Sequence, residues 1–301
     1  MPNHIPRGQM KLNFGRLMTA MVTPFDQQLQ VNWRQVQPLI DYLIEDQQSQ
    51  SLVICGTTGE SPTLSEEEKL KLIQESIRSA NGRCKIIAGT GSNDTAHTIY
   101  FSKQVEALGV DALLIVAPYY NRPSQEGIYQ HYKAIAEAVH TPIFIYNVPS
   151  RTSVNIDADT MIRLSHIPNI IGSKDCSNLD QLSKVIDQAA PGFLVYTGED
   201  SMTLPALCVG SYGVISVASH IIGQQMHTMI NRYLQGDIHA AAALHRKLLP
   251  VFTGIFKVPS PAPIKHLLNH KGISVGDVRL PLIQVNEEEA VWVESLLEIT
   301  V

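Results

Sequence analysis

The chain has 301 residues, 44% of them hydrophobic, which is ample material for one large core or two ordinary ones. Charged residues make up only 17%, against an average of about 25%, and the net charge of -5 comes without a long basic run. Nucleic acid and anionic membrane surfaces are therefore disfavoured as partners, a small molecule is favoured, and part of the surface is expected to be covered by another subunit. No run approaches the ~20 apolar residues of a membrane span. The N-terminal "MPNHIPRGQMKLNFG" carries positive charge with no apolar segment behind it, so a cytoplasmic protein is expected.

In chain order, eight short runs rich in Val, Ile and Leu read as strands: 17–22, 51–56, 85–90, 112–117, 142–147, 169–174, 193–198 and 213–218. Longer amphipathic segments separate them. Between the first two, Val36, Leu39, Ile40, Leu43 and Ile44 recur at helical spacing with one apolar stripe. In "SEEEKLKLIQESI", Ser65 and Glu68 have the spacing of a capping box, and Leu70, Ile73 and Ile77 are expected on the inner face of the helix that follows. After Gly236 the strands stop. Three helical segments follow, broken by Pro259, Pro261, Pro263 and Pro281.

Eight strand–helix units imply a parallel sheet, and strands apolar along their whole length are strands covered on both faces. Closing eight of them gives an α/β fold, the (β/α)8 TIM barrel, over residues 1–236, with a small C-terminal helical domain at 237–301. An open doubly wound sheet is the alternative, but it usually has fewer units, and "GTGSND" at 89–94 is not a dinucleotide fingerprint. No phosphate-binding GxxxxGK[ST] occurs either. Cys55, Cys84, Cys176 and Cys208 are far apart and never paired as CxxC, so free, mostly buried thiols in a reducing compartment are expected; Cys176, near Lys174, is a candidate reactive thiol. His266 and His270 stand one turn apart without a neighbouring carboxylate or cysteine in sequence, which reads as a solvated helix face. No metal and no cofactor are expected.

In such a barrel the site lies where the strands end. Strand two ends in "GTTGES", placing Thr57 and Thr58 between glycines where backbone N–H groups can turn toward an anion. Strand four ends in "APYYNRP" with Tyr119 and Tyr120, strand five in "YNVPSRT" with Tyr146 and Arg151, strand seven in "TGED". Strand six delivers a lysine, Lys174. Lysine is costly to desolvate, so here it either reaches back to solvent or is meant to act as a neutral amine. An unprotonated amine attacks a carbonyl, and an imine to a keto acid loses a proton to give an enamine, a carbon nucleophile. These steps need a proton shuttle, which a tyrosine linked to threonine hydroxyls supplies, and a carboxylate anchor, which the Gly-Thr-Thr-Gly turn supplies. A Schiff-base lysine is the reading.

With "GTTGES", "PYYNRPSQEG", "YNVPSRT" and the strand-end Lys174, the chain resembles, over essentially its whole length, the dihydrodipicolinate synthase family. That family belongs to the pyruvate-dependent class I aldolases, which also include N-acetylneuraminate lyase. The resemblance implies a barrel with a C-terminal helical domain, assembled as a homotetramer of two tight dimers. It implies a lyase that condenses pyruvate with L-aspartate 4-semialdehyde to 4-hydroxy-tetrahydrodipicolinate, in lysine and diaminopimelate biosynthesis. By that resemblance Lys174 forms the Schiff base with pyruvate, while Tyr146, Thr57 and Tyr120, the last from a neighbouring subunit, form the proton relay. Thr58 holds the pyruvate carboxylate, Arg151 the carboxylate of the second substrate, Gly198 lines the pocket, and the carbonyl of Ile215 faces the lysine. One departure stands out. Family members often continue after the lysine as "KEATGN", whereas "KDCSN" here is one residue shorter and lacks the glycine, so this loop is expected to be shaped differently. Two rival readings are a catalytically silent barrel that binds a keto acid, and an aldolase for another aldehyde; a retained relay speaks against the first.

Overall fold

The computed structural model describes residues 13–299; readings made on residues 1–12 and on the last two lie outside these. The elements alternate as expected: β1 (Leu17–Ala20), α1 (Trp33–Glu45), β2 (Ser51–Ile54), α2 (Glu66–Ala80), β3 (Lys85–Gly89), α3 (Thr95–Glu106), β4 (Ala112–Val116) and α4 (Gln125–Ala138). They continue with β5 (Ile143–Asn147), the short α5 (Pro149–Thr152), α6 (Ala158–Ser165), β6 (Ile170–Asp175), α7 (Leu179–Gln188), β7 (Leu194–Thr197), the short α8 (Thr203–Cys208), β8 (Gly213–Ser216) and α9 (Ser219–Leu234). The eight parallel strands close in sequence order, β8 pairing with β1. This is the (β/α)8 barrel that the strand count predicts. Most predicted strands overrun their observed ends by one or two residues, because the apolar run continues past the last ladder bond into the mouth loops.

Two apolar layers hold it. The inner one fills the barrel with Phe14, Met18, Val53, Ile87, Leu114, Phe144, Tyr196 and Ile215, among others. At its floor Phe14 meets Phe144 edge-on at 5.1 Å between ring centroids, Phe144 meets Tyr196 at 5.8 Å, and the Tyr196 hydroxyl donates to the carbonyl of Gly15 at 2.7 Å. Aromatic edges and faces attract through their quadrupoles, so this stack closes the lower end without leaving a polar atom unpaired. The outer layer packs the helices on the strands. Val36, Leu39, Ile40 and Leu43 are buried as the α1 spacing predicts. In α2 the capping box forms: Glu68 N–H donates to Ser65 Oγ at 3.1 Å, and Ser65 N–H to Glu68 Oε2 at 2.8 Å. The buried face of α2 is rotated from the expected one. Leu72 and Ile73 lie fully inside while Leu70 and Ile77 stay at its margins.

After Gly236 come α10 (Ile238–Gly254), α11 (Ala262–His270) and α12 (Glu287–Glu298), at the three predicted segments. Leu248, Val251, Phe252, Leu267, Leu268 and Val293 join the same apolar layer as the barrel helices, so the helical segment is docked on the barrel by a shared core. Polar ties reinforce the junction. The Arg279 guanidinium grips both carboxylate oxygens of Glu68, at 2.6 and 3.0 Å, and donates to the carbonyls of Leu29 and Thr63. A planar fork matched to a carboxylate is a strong, directional contact.

Candidate active site

The strand register builds the site. On β6, Lys174 pairs with Tyr146 of β5 on one side and with Tyr196 of β7 on the other. Side chains alternate across a strand, so these three point into the barrel at one level while their neighbours Asn147 and Asp175 point outward. Lys174 is only 5% exposed, which rules out a side chain reaching back to solvent. Its Nζ lies 4.5 Å from the centroid of the Tyr146 ring. Burial pushes the Tyr146 phenol above its ordinary pKa, against the opposing pull of Lys174, of the Thr57 hydroxyl bonded to it and of Arg151. The phenol therefore stays protonated, able to give a proton to one neighbour and accept one from another.

Beyond β2 the chain makes a tight turn. The N–H groups of Gly59 and Ser61 both donate to the carbonyl of Gly56, at 3.1 and 3.3 Å, and Glu60 N–H donates to the carbonyl of Thr57 at 3.1 Å. From the end of β1, Thr23 Oγ1 ties down the carbonyl of Gly59 at 2.7 Å. A side chain at Gly59 would press on the carbonyl of Met21, at 3.1 Å, which is why glycine belongs there. The N–H groups of Thr57 and Thr58 take no part in these bonds and find no acceptor among the described residues. Thr58 is buried and Thr57 half-buried. Two backbone N–H groups left free in a tight turn make a candidate anion seat.

At the β7 and β8 ends the structure adds a group that the residues alone did not single out. Asp200, in "TGED", is fully buried and accepts from Ser216 Oγ and from the N–H groups of Val217 at 3.2 Å and Ala218 at 3.0 Å. Burial drives its carboxyl up to about 6, although these bonds and the Lys174 charge hold it down. Tyr196, level with Lys174 on β7 and reaching down to the Gly15 carbonyl, likewise escapes notice in the sequence, because its strand-interior position resembles ordinary packing. Gly198 is required by Lys174 itself: a Cβ there would sit 2.8 Å from Lys174 Cε and closer still to Cys176 Sγ. Ile215 is fully buried in the barrel interior beside Met18 of β1.

The remaining candidates sit at the rim. Arg151, in α5, is exposed and makes no ion pair among the described residues, its guanidinium being felt by the Tyr146 phenol. Tyr120 is 89% exposed, on backbone with φ +70°, and its ring makes no hydrogen bond or ring contact within the described residues. The chain thus brings together Lys174, Tyr146 and Thr57 and turns Tyr120 away. The short "KDCSN" loop is a compact turn: Asp175 Oδ1 accepts from Ser177 N–H at 2.8 Å, and Asn178 caps α7 through Gln181 N–H at 2.9 Å. A surface groove of about 370 Å³ between α1 and α2 lies on the outer layer and contains none of these residues.

Three expectations are corrected. Cys208 is exposed and Cys176 half-buried, so only Cys55 and Cys84 are buried thiols; Cys208 stands at the exposed end of the short α8. Burial pushes the Cys176 thiol far up, away from the reactive thiolate. His266 and His270 do have a carboxylate, Glu294 of α12, at 2.8 and 3.3 Å, brought in across the helix packing from far along the chain. No cluster of three acidic, histidine or cysteine side chains suited to a metal occurs among the described residues.

A closed eight-stranded barrel with a buried lysine near the end of β6, a phenol beside it and free backbone N–H groups in the turn after β2 is a barrel of the lysine-dependent, class I aldolase type. The chain belongs to the dihydrodipicolinate synthetase family, whose model matches residues 13–300. It is 52% identical to the 4-hydroxy-tetrahydrodipicolinate synthase of Listeria innocua, over 95% of this chain and 99% of that one. Among solved structures it is similar to the dihydrodipicolinate synthase DapA-2 of Bacillus anthracis, with a TM-score of 0.93 and 46% identity, covering 95% of this chain and 98% of the other. It is also similar to the Acinetobacter baumannii enzyme complexed with pyruvate, with a TM-score of 0.92 and 38% identity, covering 96% and 99%.

Asp200 offers a direct check of this electrostatic picture. Its folded pKa, about 6, stands above the ordinary 3.8, so its contribution to stability is complete below pH 3.8 and is lost as pH rises through about 6. Asp200→Asn removes that titration. Between pH 4 and pH 7 the variant's melting temperature should rise relative to wild type, by the equivalent of a few kcal/mol, since each tenfold change in acidity is worth about 1.4 kcal/mol. A difference independent of pH would contradict the assignment.

Proposed function

We propose that the protein joins pyruvate to L-aspartate 4-semialdehyde through an imine on Lys174, giving 4-hydroxy-tetrahydrodipicolinate and water on the route to diaminopimelate and lysine. The observation that carries this reading is the meeting of the buried Lys174 amine, the protonated Tyr146 phenol and the Thr57 hydroxyl at one barrel mouth, with the unpaired Arg151 at its rim. The keto acid's carboxylate sits on the Thr57 and Thr58 N–H groups and the Thr58 hydroxyl, which presents its carbonyl carbon to Lys174. The amine adds, the carbonyl oxygen leaves as water with protons passed through Tyr146, and an imine forms. Loss of a methyl proton gives the enamine, whose carbon attacks the aldehyde. The aldehyde oxygen takes up a proton and becomes the ring hydroxyl. Finally the substrate's own amino group attacks the imine carbon, closes the ring and releases Lys174. Gly198 leaves the lysine room to swing, and Ile215 walls the chamber.

Arg151 decides the aldehyde. A guanidinium without an internal partner binds a carboxylate in two parallel bonds, and an aldehyde lacking that carboxylate gains nothing from it. Tyr120 completes the relay from the neighbouring subunit of a tight dimer, and two such dimers make the tetramer. Its outward ring, without a partner among the described residues, supports this. The described helices include none long and apolar enough to cross a membrane, and the cysteines are free; both fit a cytoplasmic home.

Arg151→Ala should keep pyruvate binding intact and lower kcat/KM for aspartate semialdehyde roughly 30- to 150-fold, the factor for the 2–3 kcal/mol of about one charged hydrogen-bonded pair. Unchanged constants for the aldehyde would refute the role and favour an aldolase for a different aldehyde. For Tyr120, the variants Tyr120→Phe and Lys174→Ala should each be nearly inactive. Dissociated and reassembled together at random, they should recover about a quarter of wild-type sites, because each mixed dimer has one site with an intact lysine and an intact partner tyrosine. A mixture as inactive as its parents would mean that Tyr120 does not act across the interface.

A further inference from the structure

Glu60 and Lys265 form an ion pair that no step of the reaction uses. Glu60 closes the Gly56–Gly59 turn; it is 2% exposed and holds φ +56°, a left-handed backbone that a side chain adopts only where its surroundings impose it. The partner of its carboxylate comes from α11. Lys265, 1% exposed, donates from Nζ to Glu60 Oε1 at 2.7 Å and to the carbonyl of Asp277 at 2.7 Å, over the ring of Phe25 at 4.0 Å. The other carboxylate oxygen, Oε2, accepts the N–H of Arg279 at 2.8 Å. Both oxygens of Glu60 are thus spoken for by the C-terminal segment.

The backbone of Glu60 is in turn part of the anion seat, since its N–H holds the carbonyl of Thr57 at 3.1 Å. A buried ion pair is a poor source of stability compared with apolar packing of the same volume, and its best-attested use is fixing a register. We propose that the Glu60–Lys265 pair is a positioning device. It sets the left-handed backbone at Glu60 and thereby aims the Thr57 and Thr58 N–H groups at the pyruvate carboxylate, so the C-terminal helices govern pyruvate recognition without touching it. The inference rests on the anion seat being where the carboxylate binds.

The test is calorimetric titration with pyruvate and with its neutral methyl ester, alongside steady-state kinetics and melting temperatures. Wild type should bind pyruvate in clear preference to the ester. Lys265→Met should weaken pyruvate about tenfold or more, in Kd and in KM, and lose most of the preference, with KM for the aldehyde changed less than about twofold. Glu60→Gln keeps the shape and some of the bonds and should shift pyruvate binding in the same direction by less, so the proposal remains testable if Lys265→Met does not fold. Arg279→Gln is the control: it removes the guanidinium grip on Glu68 while the backbone N–H of residue 279 still reaches Glu60 and the Glu60–Lys265 pair is left intact, so it should lower the melting temperature with pyruvate binding unchanged. Folded Lys265→Met or Glu60→Gln with wild-type pyruvate affinity and preference would overturn the proposal. So would an Arg279→Gln variant that weakens pyruvate as much as Lys265→Met. A wild type indifferent to the ester would instead refute the anion seat itself.

Discussion

Closing a parallel sheet into a barrel forces the inward side chains at one level of neighbouring strands to converge, and here that level contains Tyr146, Lys174 and Tyr196. An amine held there cannot reach bulk water, and a phenol held there cannot ionise cheaply. The rings of Phe14 and Phe144 lie beneath them, and at Gly198 any Cβ would press on the lysine stem. The chemistry follows from this geometry: a confined amine beside a protonated phenol makes and breaks imines when a keto acid is presented to it at the right angle.

Presentation is the task of the mouth loops, and these are held from outside the barrel. The turn after β2 is pinned by Thr23 on the β1 side and by Lys265 and Arg279 on the C-terminal side. The helical segment after Gly236 therefore covers apolar surface and also ties its polar groups to Glu60, in the turn after β2. Asp200 plays a comparable part at the opposite wall, joining the β7 end to the N–H groups that follow β8 and placing a buried carboxyl within the electrostatic reach of Lys174.

The barrel was legible because its strands are apolar throughout and its helices carry one stripe, two periods that only a sheet covered on both faces combines. Lys174 was legible because an ammonium at the end of an apolar strand contradicts its surroundings. What stayed hidden depends on contacts between distant residues. Glu60 and Lys265 are 205 positions apart, and Glu294 reaches His266 only because α11 and α12 pack together. Asp200 reads as an ordinary loop acid until the ends of β7 and β8 are brought side by side. Leu72 displaces Leu70 from the inner face of α2 because the orientation of a helix is set by the barrel it packs against and only its period by its own residues. Cys208 escapes for the same reason: an apolar neighbourhood in sequence becomes the exposed end of a short helix.

If Lys174 is the nucleophile, the second buried lysine, Lys265, serves as an internal control. Incubation with pyruvate and borohydride, followed by peptide mass spectrometry, reads this directly, since reduction turns an imine into a stable secondary amine. A single adduct is expected, on Lys174, with Lys265 unmodified. No adduct, or an adduct on Lys265 or on a surface lysine in place of Lys174, would contradict it.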